Sequence, residues 1–329
     1  MKKILFTRAF QRELLAPYIE GKYEVVMWEE ENIPMPRQLL LEKVADVEAI
    51  YTNVADQLDE EFFNVAKNLK AVATMGVGYD NIAIDIATEK GIPVGHTPDV
   101  LSEAVAELAV ALMYTCSRRI RESMDFIRNG QWKAWGPFMF AGSRIKGSTI
   151  GIIGMGRIGK ELADIVNRLG MKILYHNRRR DHESEERYEA RYCSLEELLK
   201  QSDVIVMLAP LTDQTRHMLG YEEFSMMKNT AIFINVSRGP VVNEKDLFQI
   251  LKENKIFAAG LDVFEIEPIK ATHELLTLPN VVTTPHIGSA TIETRLRMLD
   301  ITMNNIVNAL EGKEMLFTVN KDIYQPSKF

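Results

Sequence analysis

The sequence is short of several features that define other classes of protein. It has only 2 cysteines, Cys116 and Cys193, and they form neither a metal motif nor a disulfide framework. Its net charge of -7 lacks the basic excess that nucleic-acid binding requires. The apolar run at 104–113 is interrupted by Glu107, and no run reaches the length of a membrane span. The sequence therefore predicts no metal site, no nucleic-acid partner and no membrane segment.

The sequence also predicts no secretory signal, because the apolar run near its start covers only residues 4–6. Together with the scarcity of cysteine, this predicts a cytoplasmic protein without structural disulfides. The chain has 329 residues, of which 46% are hydrophobic. That length and composition are enough for about two domains, each with its own core.

Strand and helix patterns alternate along most of the chain, which is typical of parallel sheets covered by helices. Up to residue 100 we predict strands at 3–6, 25–28, 49–51, 71–73 and 92–95, and helices at 13–19, 37–44 and 60–66. Beyond it we predict strands at 149–153, 172–175, 203–208, 231–236, 258–262 and 281–284, and helices at 102–119, 160–169, 194–200, 222–227, 244–253 and 291–310. The expected fold class is α/β, with two doubly wound parallel-sheet domains.

A glycine-rich turn follows the apolar strand at 149–153. Gly154, Gly156 and Gly159 have the G-x-G-x-x-G spacing. The first glycine allows a tight turn, the second lets the backbone approach a pyrophosphate, and the third lets helix pack closely on strand. The next helix directs its first N–H groups at the same phosphate. Because a strand precedes this turn and a helix and a second strand follow it, the pattern predicts dinucleotide binding.

The residues that follow the strand at 172–175 indicate which dinucleotide is bound. An NAD-selective site places Asp or Glu there, whereas this chain has Asn177, Arg178 and Arg179, followed by Arg180. Guanidinium groups bind a 2′-phosphate, which a carboxylate would repel. We therefore expect NADP, with NADPH preferred and NAD as the alternative cofactor. The other interpretation is a solvated basic loop, balanced by the acidic residues that begin at Asp181.

Three further strand ends carry residues suited to hydride transfer. Arg238 follows the strand at 231–236, Glu267 lies beyond the strand at 258–262, and His286 follows the strand at 281–284. When a nicotinamide carries the hydride, the protein must hold the substrate, polarise its carbonyl and deliver a proton. Histidine is suited to the last task near neutral pH. Ordinary surface ion pairs are the alternative explanation of these residues.

Two loops are ambiguous in the sequence. The segment 75–81 contains Gly76 and Gly78 just after a predicted strand. It is either a nest of backbone N–H groups for a carboxylate, or a plain strand-to-helix turn with Asp80 near the helix cap. The aromatic loop at 131–140 could line a substrate mouth, form a subunit interface or pack internally.

Six motifs in a fixed order give the sequence a resemblance to a known family. They are MGVGYDNI (75–82), TPDVLSEAVAE (97–107), GIIGMGRIG (151–159), NVSRGPVV (235–242), GLDVFEIEP (260–268) and TPHIGSAT (284–291). Essentially the whole chain resembles the D-isomer-specific 2-hydroxyacid dehydrogenases. It is most similar to their glyoxylate/hydroxypyruvate reductase branch, with the 2-ketogluconate reductases nearby.

The resemblance implies roles for individual residues. His286 would be the general acid in reduction and the base in oxidation, Glu267 would hydrogen-bond it, and Arg238 would bind the substrate carboxylate. The backbone at Val77 and Gly78 would bind the same carboxylate. Arg157 and Ile158 would approach the pyrophosphate and Asp262 the nicotinamide amide. The full set of implied cofactor contacts is Gly154, Met155, Gly156, Arg157, Ile158, Gly159, Asn177, Arg178, Arg179, Val236, Ser237, Asp262 and Gly288.

The resemblance also implies a domain plan and an assembly. Residues 1–98 with 289–329 would form a discontinuous, flavodoxin-like substrate domain. Residues 99–288 would form a Rossmann NAD(P)-binding domain, with a cleft between the two domains that closes on ligand. A homodimer formed mainly by the nucleotide-binding domains is the implied assembly.

The expected function is an NADPH-preferring reductase of small 2-oxo acids, which it would convert to D-2-hydroxy acids. Glyoxylate and hydroxypyruvate are expected first, and 2-ketogluconate next. One alternative is an NAD-dependent relative acting on another 2-hydroxy acid. The other is a non-catalytic, corepressor-like protein that uses this fold as a dinucleotide-gated binding platform.

Overall fold

The computed structural model describes residues 1–324, which divide into two compact units. Unit 1 comprises Met1–Val100 together with the chain from Thr291 onward, and unit 2 comprises Leu101–Ala290. Unit 1 contains a 5-stranded parallel sheet and unit 2 a 7-stranded parallel sheet. The predicted fold class, α/β with two parallel-sheet domains, is confirmed.

Strands and helices alternate in both units. The strands are β1 (Lys2–Phe6), β2 (Tyr23–Met27), β3 (Ala49–Thr52), β4 (Ala71–Thr74), β5 (Val94–Gly95), β6 (Thr149–Ile153), β7 (Lys172–His176), β8 (Arg191–Tyr192), β9 (Val204–Met207), β10 (Ile232–Asn235), β11 (Ala258–Leu261) and β12 (Val281–Thr283). The helices are α1 (Arg12–Ile19), α2 (Arg37–Val44), α3 (Glu60–Val65), α4 (Ile84–Glu89), α5 (Ser102–Ser117), α6 (Ile120–Arg128), α7 (Arg157–Arg168), α8 (His182–Tyr188), α9 (Leu195–Gln201), α10 (Tyr221–Ser225), α11 (Glu244–Lys252) and α12 (Ile292–Leu310).

The sheet of unit 1 has the strand order β2-β1-β3-β4-β5. All residues of β3 and β4 are buried, as expected for central strands covered on both faces. Phe62 and Phe63 of α3 pack edge to face with ring centroids 5.2 Å apart and belong to the core beside this sheet. Because the strands are parallel, the segments that follow β1, β3 and β4 meet at one edge of the sheet.

The sheet of unit 2 has the strand order β12-β11-β10-β9-β6-β7-β8. The chain runs from β6 outward to β8, then returns to β9 on the other side of β6 and continues outward to β12. The order therefore reverses between β6 and β9, and ligands of open α/β sheets bind at the carboxyl ends of the strands at such a point. The glycine turn after β6 lies at this position.

Several elements differ from the sequence-based expectations. Helix α7 begins at Arg157, not near Lys160, so Gly159 lies inside the helix. Ser102 is the first residue of α5 and does not cap it; Leu101 occupies the N-cap position. Helices α6 and α8 were not expected, because the first has no buried residue and the second is dominated by charged residues. Within residues 1–324, no helix has the length and apolar character needed to span a membrane.

Candidate active site

The glycine turn after β6 has the shape that a pyrophosphate requires. Gly154 has a φ of +105°, and a β-carbon there would lie 2.8 Å from the Ala209 nitrogen. A β-carbon on Gly159 would lie 2.5 Å from the Gly154 oxygen, whereas one on Gly156 would meet no atom within 4 Å. No side chain of the described residues caps the start of α7 at Gly156. The turn therefore keeps open space at its second glycine and an uncapped helix start, which fits a dinucleotide phosphate.

Asn177, which follows β7, fastens this turn to the neighbouring strand. Its Oδ1 accepts a hydrogen bond from the Met155 N–H at 2.7 Å, and its Nδ2 donates to the Met155 oxygen at 3.3 Å. Both polar atoms of the side chain are thus used to hold the glycine turn. The structure gives Asn177 a positioning role beside the proposed pyrophosphate site.

The structure divides the arginine cluster into one engaged residue and two exposed ones. Arg180 binds Glu185 in a two-point contact, with Nε–Oε1 at 3.0 Å and Nη2–Oε2 at 2.6 Å. Hydrogen bonds from Arg180 and from the Tyr175 hydroxyl lower the pKa of Glu185 to about 2. Arg178 and Arg179 are exposed, and within residues 1–324 neither makes an ion pair or a hydrogen bond through its side chain. They are therefore available to an anionic ligand.

His286 and Glu267 form a hydrogen-bonded pair. The His286 Nδ1 lies 2.7 Å from the Glu267 Oε2, and the Glu267 Oε1 accepts from the Phe264 N–H at 3.0 Å. Burial alone would raise the pKa of Glu267, but the hydrogen bond and charge of His286 hold it below its ordinary value. Because Nδ1 faces the carboxylate, Nε2 is the ring nitrogen directed to a reacting group.

Arg238 lies on a turn that is packed directly against the Glu267 loop. The Asn235 Nδ2 donates to the Arg238 oxygen at 3.0 Å, and the Asn235 Oδ1 accepts from the Ser237 N–H at 3.1 Å. A β-carbon on Gly239 would lie 1.8 Å from the Phe264 carbonyl carbon, so the two backbones touch. The charge of Arg238 also contributes to the lowered pKa of Glu267. The structure thus brings Arg238, Glu267 and His286 together in unit 2.

The remaining predicted cofactor residues of this edge are largely buried. Val236 is 7% exposed, and Ser237 donates its hydroxyl to the Asn235 Oδ1 at 3.0 Å. Asp262 is 1% exposed, and the Gly288 N–H donates to its Oδ2 at 2.8 Å. Burial raises the pKa of Asp262, against the effect of its hydrogen bonds. Within residues 1–324, no group of three or more His, Cys, Asp or Glu side chains is arranged to hold a metal ion.

In unit 1, the 75–81 loop has the form of an anion-binding nest. The N–H groups of Gly76, Val77 and Gly78 make no backbone hydrogen bond within residues 1–324. The His96 Nδ1 lies 3.1 Å from the Val77 oxygen. Asp80 does not cap a helix, because α4 begins at Ile84 with Ala83 at its N-cap. These N–H groups are therefore available to an anion, and the loop does not act as a helix cap.

Sequence reasoning missed the residues that hold this nest. His96 gives no signal in the sequence, since no spacing distinguishes it from a loop or surface histidine. Asn81 donates through Nδ2 to the Asn53 oxygen at 3.0 Å and to the Asp56 oxygen at 2.6 Å. Asp56 is 4% exposed and accepts from the Thr52 hydroxyl at 3.0 Å. A buried carboxylate within a polar loop gives no periodic signal, so only the structure reveals this network.

Comparison with known proteins places the chain in a family. Residues 110–288 match the profile of the D-isomer specific 2-hydroxyacid dehydrogenase, NAD binding domain. A glyoxylate reductase of Thermococcus litoralis is 47% identical over 313 residues, which cover 94% of each chain. The crystal structure of a glyoxylate reductase from Paecilomyes thermophila has a TM-score of 0.82 at 33% identity and covers 98% of this chain and 99% of that one.

A second solved structure carries a bound cofactor. It is an NADPH-dependent glyoxylate/hydroxypyruvate reductase from Sinorhizobium meliloti in complex with NADP and malonate. Its TM-score is 0.82 at 28% identity, and the alignment covers 100% of this chain and 99% of that one.

A glycine turn at a strand-order reversal and a histidine–carboxylate pair on the same edge of the sheet are typical of a nicotinamide-dependent oxidoreductase. The chain belongs to the D-isomer-specific 2-hydroxyacid dehydrogenase family. Its relatives include glyoxylate reductases, so the chain is an oxidoreductase of this family.

Proposed function

We propose that the protein is an NADPH-preferring reductase of small 2-oxo acids, acting on glyoxylate and hydroxypyruvate first and on 2-ketogluconate next. The observation that carries this proposal is the Glu267–His286 pair at 2.7 Å, with Arg238 on a turn packed against the Glu267 loop. The names of the relatives from Thermococcus litoralis and Paecilomyes thermophila, both glyoxylate reductases, support the substrate class.

In this mechanism the residues of unit 2 handle charge and protons. A bound reduced nicotinamide supplies a hydride to the carbonyl carbon of the 2-oxo acid. His286 donates its Nε2 proton to the carbonyl oxygen, and Glu267 stabilises the protonated ring and fixes its orientation. Arg238 binds the carboxylate and polarises the carbonyl, since a guanidinium makes a planar two-point contact with a carboxylate. The product is a 2-hydroxy acid, which has the D configuration where C2 is a stereocentre, as in the glycerate formed from hydroxypyruvate.

The preference for NADPH rests on the two exposed arginines. Arg178 and Arg179 follow the strand end where NAD-selective sites carry an acid, and they are engaged by no partner in the described chain. The Sinorhizobium meliloti reductase, whose fold is similar, binds NADP. The pyrophosphate would be held by the turn from Gly154 to Gly159. Val236, Ser237 and Gly288 line the same sheet edge and would complete the site around the nicotinamide, and the Gly288 N–H is held by the Asp262 carboxylate.

We assign cofactor binding to one unit and substrate binding to the other. Unit 2 contains the glycine turn and would be the NAD(P)-binding domain. Unit 1 would be the substrate domain, with the N–H groups of Val77 and Gly78 contributing donors to a substrate carboxylate. Their support is that these N–H groups make no backbone hydrogen bond within the described residues.

A substrate panel tests the function directly. We expect glyoxylate and hydroxypyruvate to drive oxidation of NADPH faster than of NADH, with 2-ketogluconate next, each read as loss of the absorbance of the reduced nicotinamide. Chiral analysis of the glycerate formed from hydroxypyruvate should return the D isomer. Tight NADPH binding without turnover on any 2-oxo acid would instead support the dinucleotide-gated binding protein.

The Glu267–His286 pair predicts the effect of removing the carboxylate. The Glu267 Oε2 lies 2.7 Å from the His286 Nδ1, so the carboxylate orients the ring of the proposed proton donor. We expect Glu267→Gln to lower kcat in reduction, because the amide replaces the charged acceptor of this hydrogen bond. Single-turnover rates with saturating NADPH would check this. An unchanged kcat would mean that the carboxylate does not support the donor.

We also propose that the protein is a homodimer that associates through α6 and the aromatic loop. This surface exposes several large apolar side chains. On α6 they recur on one face, at Ile120, Met124 and Ile127, and in the loop they are Trp132, Trp135 and Phe138. Trp135 is 79% exposed and Phe138 84% exposed, which is unusual for side chains of this size. Sedimentation equilibrium should give twice the chain mass of 37.5 kDa, and Trp135→Ser with Phe138→Ser should shift it toward the monomer.

A further inference from the structure

Asp262, which follows β11, holds a single turn of the chain through four hydrogen bonds. Its Oδ1 accepts from the Thr284 hydroxyl at 2.6 Å and from the Ile287 N–H at 2.8 Å. Its Oδ2 accepts from the Gly288 N–H at 2.8 Å. Its backbone oxygen accepts from the His286 N–H at 2.9 Å. All four donors belong to the segment 284–288, so one buried residue contacts the turn on both sides of His286.

This turn needs such support because His286 has a φ of +54°. The left-handed region is unfavourable for residues other than glycine, and it persists where the surroundings hold the backbone. The bonds from Thr284 fix the chain before His286, and those from Ile287 and Gly288 fix it after. With the backbone held in this way, the His286 ring lies 2.7 Å from Glu267.

Asp262 has almost no exposed surface for contacts outside the 284–288 turn. The residue is 1% exposed, and both carboxylate oxygens are occupied by donors of the turn. Within residues 1–324, no lysine or arginine lies in ion-pair distance of Asp262, so its charge is stabilised by these hydrogen bonds. The family resemblance directs this residue to the nicotinamide amide, whereas the geometry directs its carboxylate to the histidine turn.

We propose that Asp262 is a positioning residue that acts through His286: its buried carboxylate holds the 284–288 turn in the left-handed conformation that sets the imidazole on Glu267. The catalytic consequence rests on the proposed function, in which His286 is the proton donor. The structural consequence, that the ring leaves Glu267 when the turn is released, does not depend on the substrate.

Two substitutions remove the support in different ways. Asp262→Asn keeps the shape but places an amide NH2 group, which only donates, where an acceptor oxygen stood, so at least one donor of the turn faces another donor. Thr284→Val removes one donor to the carboxylate at nearly constant volume, and Thr284→Ser keeps that hydroxyl and is its matched control. Should Asp262→Asn fail to fold, the Thr284 pair still tests the same bond.

The first readout does not require turnover. The protein has 6 histidines, and in ¹⁵N-histidine-labelled protein the ring signals of His286 are identified by their loss in His286→Asn. We expect these signals to shift in Asp262→Asn and Thr284→Val and to return in Thr284→Ser, while those of His273 stay in place. Coincidence of the His286 signals with wild type in both Asp262→Asn and Thr284→Val would overturn the proposal.

The second readout separates action through His286 from action on the cofactor. We expect Asp262→Asn to lower kcat at least about tenfold, up to the 10²–10⁴-fold that a general acid contributes. Thr284→Val should lower it about two- to tenfold, the effect of one hydrogen bond. In a His286→Asn background, Asp262→Asn should cause no further loss, because the two residues act as a unit. A further loss there, with weakened NADPH binding, would overturn the proposal in favour of a direct cofactor contact.

The two hypotheses fail separately in this design. If the wild type reduces no 2-oxo acid, the proposed function fails, and the histidine spectra still decide whether Asp262 holds the turn. If the wild type is active and the spectra do not move, the function stands and the positioning role is lost.

Discussion

Replacing His286 by asparagine is expected to lower turnover about 10²–10⁴-fold while NADPH affinity stays nearly unchanged. His286 has a φ of +54°, a region in which asparagine is tolerated far better than alanine. His286→Asn therefore removes the proton donor with little added backbone strain. In His286→Ala we expect the same loss of turnover together with a lower melting temperature.

His217 provides a matched control for this experiment. It too is a histidine of positive φ, 51°, and its Nε2 lies 3.0 Å from the Glu265 Oε1. His217→Asn should retain turnover within about twofold, because its ring belongs to a surface ion pair. Single-turnover rates and NADPH titration of both variants make the comparison. Near-wild-type turnover in His286→Asn would remove this residue from the role of acid.

Replacing Arg178 and Arg179 together by glutamine is expected to weaken NADPH and to spare NADH. A hydrogen bond to a charged group contributes about 1.5–3 kcal/mol. Because about 1.4 kcal/mol is tenfold in affinity, the loss of each contact should reduce the preference for NADPH about ten- to a hundredfold. The preference of the wild type should itself fall in high salt, because both arginines are exposed.

Arg180→Gln is the matched control for charge and position. It removes one positive charge from the same loop, but its guanidinium is already engaged with Glu185 at 2.6 Å. The ratio of kcat/KM for NADPH to that for NADH should change little in Arg180→Gln and fall strongly in the double variant. If the wild type prefers NADH, or if the double variant keeps the wild-type ratio, Arg178 and Arg179 belong to a solvated loop and do not select the cofactor.

Asn177 is a poorer position for changing cofactor than the sequence suggests. Introducing an acid there would supply the acceptor that NAD-selective sites use for the ribose. The structure shows, however, that Asn177 Nδ2 donates to the Met155 oxygen at 3.3 Å. A carboxylate oxygen in its place would face that carbonyl and loosen the glycine turn.

The parts of the fold that follow from periodicity could be predicted. Buried strands such as β6 and β9 are continuous apolar runs, and glycines at fixed spacing predict the turn after β6. Helix α6 was not predicted: Ile120, Met124 and Ile127 are exposed, and no residue of the helix is fully buried. A pattern that does not face a core is hard to distinguish from a loop.

The sequence predicts which residues lie at the strand ends of the site but not the contacts between them. Parallel strands bring their carboxyl ends to one edge, so Arg238, Glu267 and His286 could be assigned to a common rim from the sequence alone. The contact between Glu267 and His286 could not, since it depends on a left-handed backbone that no local pattern encodes. The hydrogen bonds of Asp262 to residues 284–288 join segments more than twenty positions apart and are equally invisible in the sequence.

The contact between Gly239 and Phe264 determines which parts of this protein can change independently. Gly239 has no β-carbon, and a residue with one would overlap the Phe264 backbone. The Arg238 turn and the Glu267 loop therefore accept neither an insertion nor a larger residue at this contact. A variant with new chemistry would have to replace both loops in one step. Arg178, Arg179 and Arg180 are exposed to solvent. Single substitutions there can therefore change the preference between NADPH and NADH. Directed evolution of this scaffold should therefore reach new cofactor ratios long before it reaches a new reaction.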